Sequence, residues 1–195
     1  MVGIGGDEYG RKTALVGGAL ALVAVAALLA PAAASAADLS CSAAPGSEAV
    51  TVEGRSACGV RNDATSTAYA RAIDSVAFAR ADNEGGAFGL ASDGGVAAAE
   101  TSSGRVGALS TGTDSVSIVS PDAGAIALAV SLERGQTFVG TAEEGVRCDA
   151  GPGLAVNVTT GQLCLSDGVR STTVVVQLPV LPVLPVPALP IPALP

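Results

Sequence analysis

The sequence predicts an all-β chain folded as a β-solenoid, a β-roll of about ten-residue rungs with a disulfide-closed cap at each end. Three observations carry this. From Ser75 to Gly145 the pattern of apolar and turn residues recurs about every ten positions, and a fixed short period marks stacked units rather than a mixed core. Two columns keep their character along the repeat: Val76, Gly86, Val96, Val106, Val116, Ile126 and Gln136 form one. Phe78, Phe88, Ala98, Ala108, Ile118, Leu128 and Phe138 form the other. Lastly, four cysteines flank the repeat as two local pairs, Cys41 with Cys58 and Cys148 with Cys164.

Residues 1–36 read as an export signal. Arg11 and Lys12 precede an uncharged run from Ala14 to Ala30, and Ala34-Ser35-Ala36 fits the small-x-small pattern of a cleavage site. The apolar run is short for a membrane span, which needs about 20 residues. No transmembrane span is therefore expected after processing. Asp38 occupies the place where a lipobox before Cys41 needs an aliphatic residue, which argues against lipidation. About 160 residues follow the leader, enough for one domain.

That domain is expected over 38–177. Residues 38–64 form the N-terminal cap, with a strand at Glu48-AVTVEG between Cys41 and Cys58. The repeat occupies 65–145, with Thr67-AYA as its first rung. Each rung is a short strand of alternating side-chain size, followed by a turn such as Asp82-Asn83-Glu84-Gly85 or Asp93-Gly94-Gly95. Glycine and aspartate suit such turns because they tolerate positive φ or bond their own backbone. The Phe/Ile/Leu column is expected to face the core, and the Ala/Gly/Ser positions to allow a second backbone layer to approach. Residues 146–177 form the C-terminal cap, with a strand pair at Leu154-AVNVTT and Gln162-LCLS joined at Thr160-Gly161. An antiparallel meander closing into a sandwich or barrel is the alternative, since it too places turns every 8–12 residues. The scarcity of bulky interior candidates favours the solenoid.

The tail over 178–195 reads LPVLPVLPVPALPIPALP, with neither charge nor glycine. Prolines at this density exclude helix and central strand and favour polyproline II. Its unpaired carbonyls exclude it as a transmembrane segment. Such an apolar, stiff segment is expected to associate with a cell-envelope component or with the solenoid itself.

The stretches Ser75-VAFARADNEGGAFGLAS and Ser115-VSIVS resemble the Ser-Val-Ala-x-Gly units of trimeric autotransporter adhesin heads. The likeness covers residues 65–145 and implies a β-roll. Across the length after the leader, including Cys41-SAAPGSEAVTVEGRSACGV and Gly153-LAVNVTTGQLCLSDG, the chain resembles a family of secreted actinobacterial proteins of unknown function. That likeness implies export and a bacterial origin, and it carries over no active site.

Chemistry is sparse. The chain has no histidine, hence neither the usual general base nor the commonest metal ligand, and its one lysine, Lys12, lies in the leader. With 10 basic and 18 acidic residues the net charge is −8, which argues against nucleic acid as a partner. An even cysteine count after an export signal reads as disulfides, so Cys41, Cys58, Cys148 and Cys164 are the only site residues assigned. No catalytic, cofactor-binding or metal-binding residue is assigned, and the chain is expected not to be an enzyme. The expectation is an exported protein, secreted or held in the cell envelope, acting structurally or adhesively through its surface. Two alternatives stand beside it. One is a calcium-stabilised binding module, suggested by the acidic turns at Asp93-Gly94-Gly95 and Asn83-Glu84-Gly85-Gly86. The other is a carboxylate-dependent hydrolase using Asp82 with Glu84 or Glu143 with Glu144. Asn157-Val158-Thr159 also matches a glycosylation sequon.

Overall fold

A computed structural model of the chain describes residues 36–176. The leader, apart from Ala36, and the tail over 178–195 lie outside the described residues. Fifteen strands run in chain order: β1 (Asp38–Ser42), β2 (Glu48–Glu53), β3 (Ser56–Asn62), β4 (Thr67–Ile73), β5 (Val76–Ala81), β6 (Gly86–Ser92), β7 (Val96–Thr101), β8 (Arg105–Thr111), β9 (Val116–Val119) and β10 (Ile126–Leu132). The last five are β11 (Gly135–Val139), β12 (Val146–Ala150), β13 (Pro152–Asn157), β14 (Gln162–Asp167) and β15 (Ser171–Val175). No helix occurs among the described residues.

The fold is a β-solenoid of about four turns. Successive strands from β3 to β11 alternate between two sheets, so each turn uses two ten-residue units, one per sheet. One sheet has eight strands in the order β1-β4-β6-β8-β10-β13-β14-β15; the other has seven, β12-β11-β9-β7-β5-β3-β2. Pairing between turns is parallel, as in Val76 with Val96 and Val96 with Val116. Antiparallel strands close both ends, through β1 and β2 at one and β12 to β15 at the other. This parallel body excludes the meander. Neighbouring units therefore face each other across the core, and every second unit stacks on its like.

Two corrections to the sequence reading follow. The column register slips by one at β8, where Gly86 pairs with Arg105 and Phe88 with Gly107. The turn before β8, Ser102–Gly104, is one residue shorter than the turn before β6, and a one-residue slip exchanges inner and outer faces. Val106 and Ala108 accordingly point inward and are buried. The second correction is larger. The Phe/Ile/Leu column is not the core; Phe88 and Ile118 are 39% and 38% exposed, on the outer faces. Phe78 and Phe138 share the outer face of the seven-stranded sheet with Ile118, and Phe88 lies on the other.

The interior is instead made of small residues. In the eight-stranded sheet one inner row runs Cys41, Ala70, Gly89, Ala108, Ala129, Ala155, Cys164. Its counterpart in the seven-stranded sheet runs Cys58, Ala77, Ala97, Ser117, Thr137, Cys148. A Cβ on Gly89 would lie 2.5 Å from the Phe78 carbonyl oxygen, so the sheets approach almost backbone to backbone. Connections of two to six residues between β4 and β11 hold them there. Each row begins and ends in a cysteine. Cys41–Cys58 and Cys148–Cys164 form disulfides, and each joins one sheet to the other at an end of the coil. Interior hydroxyls of the last turns bond one another: Ser131 lies 2.8 Å from the Ser117 hydroxyl and 2.7 Å from that of Thr137.

Candidate functional site

Because the strands alternate sides and the small set fills most of the core, the aromatic and leucine side chains of the coil point outward, while Val60, Val106, Val119 and Val139 stay inside. On the eight-stranded sheet these form continuous rows. One runs Tyr69, Phe88, Gly107, Leu128, Val156, Leu163, Val174, and its neighbour Leu90, Leu109, Val130, Leu154, Leu165. Charge enters this face near its rims, at the Asp38–Arg71 ion pair (2.6 Å) and at Arg105. Soluble monomers seldom expose an apolar patch beyond a few hundred Å², and larger ones mark interaction sites.

Within this face lies a groove of about 520 Å³, over the first residues of β4, β6, β8 and β10. Tyr69, Phe88, Arg105, Ile126 and Leu128 line it. Two glycines shape it, each underlying the side chain of the adjacent strand. The Phe88 ring covers Gly107, and any Cβ at Gly107 would overlap that ring. Arg105 lies across Gly86, whose Cβ would be 2.9 Å from the Arg105 side chain. The guanidinium donates to the carbonyls of Glu84 (2.7 Å) and Gly104 (2.9 Å), so it is turned to the rim rather than into the groove.

The outer face of the seven-stranded sheet is more mixed. Valines 76, 96 and 116 stack there, but beside them stands a charged row of Glu48, Arg61, Arg80 and Glu100, and Arg147 and Asp149 close the end.

The acidic turns serve the backbone. Asp63 accepts from the N–H groups of Asn83 (2.5 Å) and Thr65 (2.9 Å), and Asp122 accepts from the N–H of Ala142 (2.7 Å). Both long contacts reach twenty residues on, tying one turn of the coil to the next. Hydrogen bonds from the Ser66 hydroxyl and from the Asn83 and Thr65 N–H groups hold the Asp63 carboxyl far below the usual carboxylate range. The Arg71 guanidinium likewise lowers Asp38. Asp167 is lowered by the N–H groups of Arg170 and Val169.

Of the carboxylates considered for hydrolysis, Asp82 is bound by Arg80 at 3.0 Å, and Glu144 accepts from the Thr141 N–H at 3.1 Å. Asp82 with Glu84 and Glu143 with Glu144 sit on exposed or half-exposed turns at one rim of the coil. Among the described residues no three of His, Cys, Asp or Glu gather as a metal-binding group. Asn83, Glu84 and Asp93 hold positive φ, at 52°, 62° and 52°, the left-handed turn conformation that Asn and Asp tolerate and Glu does not favour. Asn157 of the sequon is 1% exposed, and its side chain accepts from the Thr160 N–H at 3.2 Å. In the folded chain it is closed to a modifying enzyme. No described helix is long and apolar enough to cross a membrane.

Residues 9–167 match the model of a family of unknown function (DUF6764), and the chain belongs to that family. No curated protein and no solved structure matches the chain.

Proposed function

We propose that this member of a family without an assigned activity is an exported, non-enzymatic protein of the cell envelope or extracellular space, working through the apolar outer face of its eight-stranded sheet. The observation that carries the reading is that face, with its rows from Tyr69 to Val174 and from Leu90 to Leu165. Leaving such rows in water forgoes about 25 cal/mol for each Å² that a partner would cover. Two cystines support a location outside the reducing cytoplasm. The interior offers hydroxyls bonded to one another, and the groove on the eight-stranded sheet is lined mainly by apolar side chains, so recognition rather than turnover suits this architecture. The partner is an apolar envelope component.

Fractionation of cells producing the full chain tests this. The protein is expected outside the cytoplasm, retained with the envelope, with all four cysteines blocked to alkylation until reduced. Leu165→Glu, which places a charge on the exposed part of the face, is expected to release it into the medium while leaving its melting temperature unchanged. A cytoplasmic protein with free thiols, or retention unaffected by Leu165→Glu, would refute the reading.

A further inference from the structure

We infer that the groove between Tyr69, Phe88, Ile126 and Leu128 is the seat of the chain's own proline-rich end, Leu178–Pro195. Four observations lead there. First, the direction of exit is right. Strand β15 runs antiparallel to β14, and Val174 pairs with Leu163, which pairs with Val156 and through it with Leu128. Val174 therefore lies level with Phe88 and Tyr69, and the chain leaves at Val176 toward the strand ends where Ile126, Arg105 and Gly86 stand. The Val176 N–H is held by the Gly161 carbonyl at 2.7 Å, which fixes that exit at the same end of the sheet as the groove.

Second, the length suffices. Five strand spacings separate β15 from β6, or roughly 25 Å at about 4.8 Å each. Residues 177–195 would reach about 60 Å in polyproline II, at about 3.1 Å per residue. Third, the chemistry matches. Proline-rich segments dock in aromatic-lined grooves, and Tyr69 and Phe88 are neighbours across a parallel pair at one wall of this one. The floor needs no ion partner, because the Arg105 guanidinium is already engaged by two carbonyls, and residues 178–195 bring no charge. Fourth, attachment in the same chain makes docking an intramolecular event, with an effective concentration set by a short stiff linker. The tail then covers the most recessed part of the face and leaves the rows from Leu90 to Leu165 for another partner. The inference rests on that face being a binding surface, but its test reads the tail alone.

The chain contains no tryptophan, so a single Leu184→Trp substitution reports on the tail directly. In the full chain its emission is expected to be blue-shifted and shielded from acrylamide. Adding Phe88→Glu, or separately the milder Leu128→Ser, is expected to return both readings to those of the free tail peptide carrying the same tryptophan. The thermal transition should survive both changes, since both side chains point outward. Two results would overturn the inference. One is emission equal to that of the free peptide in the otherwise unaltered chain. The other is a blue shift that vanishes on dilution, which would place the tail on a second copy. Envelope retention is a separate measurement: a tail shielded in the otherwise unaltered chain, with retention that Leu165→Glu leaves unchanged, upholds the seat in the groove and refutes the proposed function alone.

Discussion

The inside and the outside of this coil are built from opposite side-chain sizes. Between the sheets stand Ala70, Ala77, Ala79, Ala97, Ala99, Ala108 and Ala129, with Gly89 where the opposing backbone comes nearest. On the outer faces stand Tyr69, Phe78, Phe88, Ile118, Leu128 and Phe138. In most domains bulk fills the core, and burial of large side chains supplies the stabilisation. Here short connections press two sheets together, so the ladder hydrogen bonds and close backbone contact must do more. The two sets of residues then have separate tasks. The small ones set the shape, and the large ones form the surface another molecule meets.

The cystines sharpen this contrast most, because they end both inner rows and are themselves buried. Replacing Cys41 and Cys58 together by serine, or Cys148 and Cys164, opens a loop of 17 or 16 residues of separation. Each change is expected to lower stability by roughly 3 kcal/mol, by the entropy of loop closure. Urea unfolding reads it. A loss below about 1 kcal/mol for both pairs would mean that the ends are held by strand pairing without help.

A smaller effect is expected from bulk added inside. Gly89→Ala sets a methyl group against the Phe78 carbonyl, and two backbones cannot move apart without disturbing the ladder. A cost of about 1–3 kcal/mol is expected. Ala98 lies between Phe78 and Ile118 on the outer face. Ala98→Leu there should stay within about 0.5 kcal/mol of the parent, as surface changes usually do. Chemical denaturation of the pair tests the assignment of inside and outside, and equal costs would break it.

How far this was legible in the sequence follows from the same geometry. Periodicity in Val76, Val96 and Val116 reports stacking, and the strands at Glu48, Thr67, Leu154 and Gln162 stand where their alternation places them. The paired cysteines likewise reveal the two cross-links. Which side faces in was obscured because apolar residues stand on both sides of the repeat strands, yet Arg71, Arg80 and Glu100 share a side with Tyr69, Phe78 and Ala98 and mark it as the wet one. A second signal was the brevity of connections such as Asp74-Ser75, which leaves no depth for a phenylalanine between the sheets. The slip at Arg105 was hidden because Val106 fits the valine column by identity while a three-residue turn shifts it inward. The apolar face, and with it the groove, could be assembled only once large residues were known to point outward and β15 was known to lie beside β14.

The last contrast lies between the two outer faces, and its effect on stability is the smallest. Leu165 is 52% exposed and Val52 69%, so Leu165→Thr and Val52→Thr remove little buried surface. Both are expected within about 0.5 kcal/mol of the parent. They should differ in adhesion. Leu165 continues a row with Leu154 and Val130, whereas Val52 sits on an edge strand that begins and ends in Glu48 and Glu53. A flat apolar partner gains from contiguous area, and Val52 joins the valine row of Val76 and Val96 only through Ala57, with the charged row from Glu48 to Glu100 on the same face. Retention on a phenyl-substituted matrix should therefore fall for Leu165→Thr and hold for Val52→Thr. The reverse result would move the contact surface to the seven-stranded sheet, where Phe78, Ile118 and Phe138 would be the next residues to replace.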